Sequence, residues 1–272
     1  MIVDGKKLAE EIKTSLKDEV LSIGKKIKLV VIQVGSNPVT EKFMEQKKKF
    51  GNAVGIDVRI YNIEEGVSTS QLREKISEIV HIKENTGVII QLPLPEQINT
   101  QYILDAITPE KDPDMLSSKS VGAFSTGRSK MLPPVVGVIR HIFEKHSIEL
   151  RGKRAAVIGA GRLVGRPVAA WLLQNGAAVA AIDENTPDPR PYTQNADIII
   201  SGVGVSHLIR PDMVKEGAVV IDCGTSEANG KLAGDMAPDV ANKASLFTPV
   251  PGGVGPLTVA MLFKNLVELA KK

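Results

Sequence analysis

The stretch Ala155–Leu173, AAVIGAGRLVGRPVAAWLL, reads as a strand, a glycine-rich turn and a helix. Its glycines, Gly159, Gly161 and Gly165, follow a G-x-G-x-x-x-G spacing, one residue longer at the last gap than the usual dinucleotide fingerprint. Glycine at such a turn lets backbone N–H groups approach a pyrophosphate at a helix N-terminus. A glycine triplet alone is weak. Here a strand precedes it, a helix follows it, and a second apolar run, AAVAAID, ends at Asp183. Asp183 lies 24 residues after Gly159, close to where an acid bonds the ribose hydroxyls of a dinucleotide. A carboxylate there repels the 2′-phosphate of NADP, and Glu184 adds to the repulsion. Arg162 and Arg166 keep NADP open, and the plain alternative for Asp183 is a solvated acid in a turn.

Outward from this stretch, short apolar runs alternate with helical patterns. Downstream come ADIIIS, GAVVIDCG, the turn TPVPGGVGP and an amphipathic helix at Leu257–Ala270. Upstream lie KLVVIQV, DVRIYNI and TGVIIQLPLP, with a helix at Gln71–Ile82 and another opening at Asn37, where Asn37 can cap and Pro38 suits the first turn. Such βαβα order implies mostly parallel sheets flanked by helices. Residues 109–137, rich in Pro, Ser and Gly, read as loops and a domain connection. The fold class is α/β with two domains.

Composition narrows the function. The 272 residues are 43% apolar, which fits a globular chain, and the net charge of +3 is too mild for nucleic-acid binding. One cysteine, Cys223, excludes an intramolecular disulfide and closes an apolar run, so it reads as core. The opening MIVDGKKLAEEIKTSL starts a helical pattern rather than a secretory signal, and no run is long enough to span a bilayer, so a cytoplasmic protein is expected. His81, His141, His146 and His207 have no metal-ligand spacing, and no metal is expected.

The segment NPVTEKFMEQKKKFGNAVGI, Asn37–Ile56, poses a separate question. At about 100° per residue, Val39, Phe43, Phe50 and Val54 share one face, and Lys47 falls among them. An amine held among apolar groups has a lowered pKa and can exchange protons near neutral pH. The alternative is a side chain snorkelling at the edge of the stripe, which Gln46 also borders. Lys48 and Lys49 read as a solvated face.

At GRPVA, ADIIISGVG, MVKEGAVVIDCG and above all TPVPGGVGPLT, the chain resembles the FolD family of methylenetetrahydrofolate dehydrogenase/methenyltetrahydrofolate cyclohydrolases. QLPLP at Gln91–Pro95, PEKDPD at Pro109–Asp114 and GD at Gly234–Asp235 agree in order and spacing, so the resemblance covers nearly the whole chain. It implies hydride transfer from 5,10-methylenetetrahydrofolate to NAD(P)+, then hydrolysis to 10-formyltetrahydrofolate. It also implies a homodimer acting on tetrahydrofolate derivatives, and the charge and apolar runs already lead to no nucleic-acid or membrane partner being expected. The expected domains are an N-terminal βαβ catalytic domain, 1–128 plus a returning helix at 257–272, and a Rossmann-like doubly wound domain, 129–256.

By resemblance Lys47 is the catalytic lysine, Gln91 its hydrogen-bonding neighbour and Asp114 the acid that binds the pterin. Phe43, Pro251, Gly252, Gly253 and Pro256 would contact substrate. Gly159, Gly161, Arg162, Leu163, Val164, Gly165, Asp183, Gly202 and Val203 would contact the dinucleotide. The turn at Thr248–Pro256 is expected to be rigid, with room for a cis bond; a simple structural turn is the alternative.

Several residues depart from the family pattern. Phe43 stands where tyrosine is usual, which removes a hydroxyl and puts the cyclohydrolase step in question. Met115 replaces a glycine after Asp114, so a differently running loop is expected. Leu132–Gly137, LPPVVG, lacks a threonine and a cysteine. GAGRLVG lacks the usual arginine and serine, and Ile182–Glu184 replaces the usual CHS. The last two changes remove a phosphate site and install an acid, so NAD is favoured over NADP. The rival readings are a dehydrogenase lacking cyclohydrolase activity, a non-catalytic dinucleotide-binding paralogue and a shikimate-type dehydrogenase.

Overall fold

Parallel buried strands are the most legible elements, because both faces demand apolar residues. The computed structural model describes residues 1–35, 38–228 and 231–271. In chain order its elements are α1 (Gly5–Ile23), β1 (Lys28–Val34), α2 (Pro38–Ala53), β2 (Asp57–Ile63), α3 (Thr69–His81), β3 (Gly87–Ile90), α4 (Thr100–Leu104) and α5 (Ser118–Ser125). There follow α6 (Pro134–Lys145), β4 (Arg154–Ile158), α7 (Gly165–Gln174), β5 (Ala178–Ile182), α8 (Arg190–Thr193), β6 (Ile198–Ser201), β7 (Val219–Asp222), β8 (Ser226–Ala228), β9 (Lys231–Ala233), β10 (Leu246–Phe247) and α9 (Val254–Ala270). The expected cap Asn37 lies outside the described residues.

Two compact units result: Glu10–Pro134 with Val259–Lys272, and Met1–Ala9 with Val135–Thr258. The first, the Lys47 unit, holds a three-stranded parallel sheet of order β2-β1-β3, with Leu29 opposite both Val58 and Gly87. The second, the glycine-turn unit, holds a five-stranded parallel sheet of order β10-β7-β6-β4-β5. Residues 1–9 belong to it because Ile2 bridges Phe247, Val3 N–H donates to Phe247 O at 2.8 Å and Phe247 N–H donates to Met1 O at 2.8 Å. The expected division kept those residues with Lys47; a backbone ladder takes them to the other unit.

In the Lys47 unit β1 is central, and Val30, Ile32, Leu72, Ile76 and Val88 form one core. Ser68 caps α3 by accepting from Gln71 N–H, and the Gln71 side chain accepts from Ser68 N–H, a reciprocal capping box. The C-terminal helix packs here: the rings of Phe50 and Phe263 lie 5.1 Å apart. It starts at Val254, three residues before the expected Leu257, because Pro256 sits in the first helical turn, where no intrahelical N–H donor is needed. Between residues 109 and 137 the expected loops contain α5, capped by Ser117, whose side chain accepts from Ser120 N–H.

In the glycine-turn unit, strand order reverses at β4, with β5 on one side and β6 and β7 on the other. The loops leaving the C-terminal ends of β4 and β6 therefore meet at a topological switch point, the usual ligand position of an open α/β sheet. No helix among the described residues is long and apolar enough to cross a membrane.

Candidate active site

In the Lys47 unit the sheet and two flanking segments converge on one amine. Gln91 follows β3, and its backbone N–H donates to Ile32 O at 2.8 Å, which keeps it in register with β1. Lys47, from α2, donates from Nζ to Gln91 Oε1 at 2.8 Å. Gln91 Nε2 donates to Leu92 O at 2.8 Å, so the amide is oriented with its oxygen toward the lysine. Lys47 is half-buried, Lys48 and Lys49 are exposed, and Val54 on the same face is buried. Desolvation lowers the Lys47 pKa, and the charge of Asp114 opposes that shift. Lys47 thus sits in a desolvated setting, although the stripe it belongs to is only partly buried.

Asp114 shares this electrostatic neighbourhood. Burial raises its pKa to about 6; the Lys47 charge opposes the rise and Asp112 adds to it. Asp114 is still partly reached by solvent. Asp112 is buried and accepts from Leu116 N–H at 3.3 Å, Ser117 N–H at 3.0 Å and the Ser117 hydroxyl at 2.7 Å. Asn265 of α9 donates to Pro113 O at 2.9 Å and to Leu132 O at 2.8 Å, fixing the backbone just before Asp114. Met115 takes φ 57°, the left-handed conformation natural to glycine, with its side chain 2% exposed. The methionine makes the left-handed turn itself. Phe43, one helical turn before Lys47, is 37% exposed, leaving its ring available to a planar ligand.

The glycine turn is built by close approach. Gly159 has φ 92°, and a Cβ on Gly165 would lie 1.7 Å from Gly159 O. A Cβ on Gly161 would meet nothing within 4 Å, so the middle of the turn faces open space, as a cradle for a ligand phosphate requires. No side chain caps the start of α7 at Val164. Arg162 and Val164 are half-buried and Leu163 is exposed. Asp183 follows β5, and its two carboxylate oxygens accept from Asn185 N–H at 3.0 Å and Asn185 Nδ2 at 3.3 Å. The carboxylate is therefore held just beyond the C-terminal end of β5. These residues fit a dinucleotide.

The Gly/Pro-rich turn lies in this second unit. The Val250–Pro251 bond is cis, Gly252 has φ 106°, and Gly253 N–H donates to Pro249 O at 2.8 Å. Pro251 is exposed, Gly252 and Pro256 are half-buried, and Gly253 is buried. Cys223 is half-buried; burial and the carboxylates of Asp222 and Asp235 push its thiol pKa far up, away from any nucleophilic role. Among the described residues no group of His, Cys, Asp and Glu could hold a metal ion. The anchoring roles of Asp112 and Asn265 were missed by sequence reasoning: the motif PEKDPD contains the first, and nothing marked the second.

Comparison with known proteins adds two family matches. Residues 3–114 match the tetrahydrofolate dehydrogenase/cyclohydrolase catalytic domain, and residues 133–272 match the NAD(P)-binding domain of the same family. The chain is 40% identical to Bifunctional protein FolD 2 of Lactobacillus johnsonii, over 100% of this chain and 98% of that one. The structure of the bifunctional FolD enzyme from Campylobacter jejuni is similar at TM-score 0.96 and 38% identity, covering 100% of this chain and 98% of that one. The Trypanosoma brucei enzyme, solved with NADP and an inhibitor, is similar at TM-score 0.94 and 31% identity, covering 100% of this chain and 97% of that one.

Proposed function

The chain belongs to the tetrahydrofolate dehydrogenase/cyclohydrolase family, and on that premise we infer how its residues divide the work. It is a bifunctional enzyme: it oxidises 5,10-methylenetetrahydrofolate to 5,10-methenyltetrahydrofolate and hydrolyses that product to 10-formyltetrahydrofolate. The dinucleotide supplies the hydride acceptor for the first reaction.

In the second reaction water adds to the methenyl carbon, a proton leaves that water, and the bond to the pterin-ring nitrogen breaks as that nitrogen is protonated. Lys47 Nζ handles these protons, because desolvation increases its neutral fraction near neutral pH. Gln91 holds Nζ in place, Asp114 binds the pterin, and the Phe43 ring stacks on it. The observation that carries this reading is the 2.8 Å bond from Lys47 Nζ to Gln91 Oε1 beside the Asp114 charge.

Gly159, Gly161, Arg162, Leu163, Val164 and Gly165, with Gly202 and Val203, hold the dinucleotide. Asp183 receives the ribose hydroxyls, so NAD is preferred to NADP. A cytoplasmic homodimer completes the reading. A second reading, dehydrogenase activity without hydrolysis, draws on Phe43, which offers a ring but no hydroxyl beside Lys47.

The test is a spectrophotometric assay with methylenetetrahydrofolate and each dinucleotide at equal concentration. Wild type should turn over faster with NAD, and the absorbance of supplied methenyltetrahydrofolate should decay. In Lys47→Met that decay should slow by at least about 100-fold, with dehydrogenation partly retained. A strong NADP preference overturns the choice of dinucleotide. An undiminished decay in the variant overturns the role of Lys47, and no decay in wild type favours the second reading.

A further inference from the structure

The loop after β6 carries Gly202 and Val203, two of the dinucleotide-facing positions, and is held from within by a distant carboxylate. Asp235 is fully buried at 0% exposure and accepts four hydrogen bonds. Ser201 Oγ and Val203 N–H donate to Oδ2 at 2.6 and 2.7 Å, and Gly204 N–H and Val205 N–H donate to Oδ1 at 2.9 Å each. Three successive amides thus point inward, while the Val203 and Val205 side chains are turned out, 41% and 49% exposed. The same loop abuts the glycine turn: a Cβ on Gly202 would lie 2.5 Å from Val164 Cγ1, and one on Gly159 would lie 3.0 Å from Gly202 O. Asp235 is itself seated, since Asp222 Oδ1 accepts from Asp235 N–H at 3.2 Å and Oδ2 from Met236 N–H at 2.9 Å.

We propose that Asp235 is a positioning residue for the dinucleotide: anchored on Asp222, its carboxylate sets the course of residues 203–205 and so the apolar surface that Val203 and Val205 offer the bound dinucleotide. This rests on the dinucleotide site assigned above. A carboxylate suits the task because it has acceptor sites on both oxygens and no donor. An asparagine would turn an NH2 group toward donors. The Ser201 hydroxyl can rotate to accept, but a backbone N–H cannot, so either amide orientation leaves at least one inward N–H unpaired.

The experiment measures Asp235→Asn in two assays on the full chain. Dehydrogenation at varied dinucleotide should show KM raised on the order of tenfold, with kcat at saturation changed less than about twofold. Decay of supplied methenyltetrahydrofolate without dinucleotide should stay at the wild-type rate, because Lys47, Gln91 and Asp114 carry it. A merely structural role would depress both activities together, and that result, like an unchanged KM, overturns the proposal. Ser201→Ala, which removes one donor and keeps the carboxylate, is the milder second variant. Should Asp235→Asn not fold, a raised KM with intact decay in Ser201→Ala supports the proposal and an unchanged KM overturns it. Wild type inert in both assays counts against the assigned function; an active wild type with unmoved variants counts against Asp235 alone.

Discussion

Lys47 and Asp114 pull each other in opposite directions. Desolvation is the largest influence on both, lowering the lysine and raising the carboxyl to about 6, and the attraction between their charged forms resists both shifts. The sign of the linkage follows. A carboxyl raised above its unfolded value adds stability that is full below pH 3.8 and is lost as pH rises through about 6. Asp114→Asn lacks that loss. Thermal unfolding at pH 4.5 and 7.5 should therefore show the variant gaining on wild type at the higher pH, and a pH-independent gap would contradict the assigned burial. Met115 shows a similar contest: the left-handed backbone costs roughly 1–2 kcal/mol, and burial of a large side chain offsets it by about 1.5–3 kcal/mol. The sequence told that glycine was missing; it could not tell that methionine would adopt glycine's conformation.

Among elements, β1 matches its apolar run residue for residue, because a strand buried on both faces declares itself by composition, and the edge strand β2, with only Val58 buried, matches DVRIYNI as well. The short elements α4, β8, β9 and β10 carry neither a period nor a sustained apolar run to read, unlike the comparably short but predominantly apolar β3 and β6. The run TGVIIQLPLP yields only Gly87–Ile90 as strand, since the prolines beyond Gln91 cannot donate to a ladder. At the glycine turn, sequence and structure agree for a steric reason: α7 begins so close to the end of β4 that Gly165 has no room for a methyl group. Gly165→Ala should weaken dinucleotide affinity by more than about tenfold while methenyltetrahydrofolate decay persists. Titration calorimetry with NAD, alongside the decay assay, checks this; unchanged affinity would mean that the turn does not hold the dinucleotide.

At the scale of the whole molecule, the two ends of the chain serve different units: residues 1–9 complete the glycine-turn unit and residues 259–272 the Lys47 unit. Phe263, fully buried against Phe50, links the last helix to α2, the helix that carries Lys47. Phe263→Ala should cost roughly 3–5 kcal/mol and slow methenyltetrahydrofolate decay, with NAD binding less affected. Denaturant unfolding with both activity assays measures this, and equal loss of the two functions would refute the division of labour.

The sequence by itself determined the alternation of strands and helices, the two parallel sheets and the residue types available for chemistry, because these follow from local periodicity and backbone sterics. Only the tertiary structure decided that the Lys47 amine is desolvated, how Gln91, 44 residues away and expected beside it by resemblance alone, meets it, and that Asp235 pins a loop 30 residues behind it. Desolvation and hydrogen-bond geometry are set by atoms from distant segments, and no local pattern encodes which segments will meet.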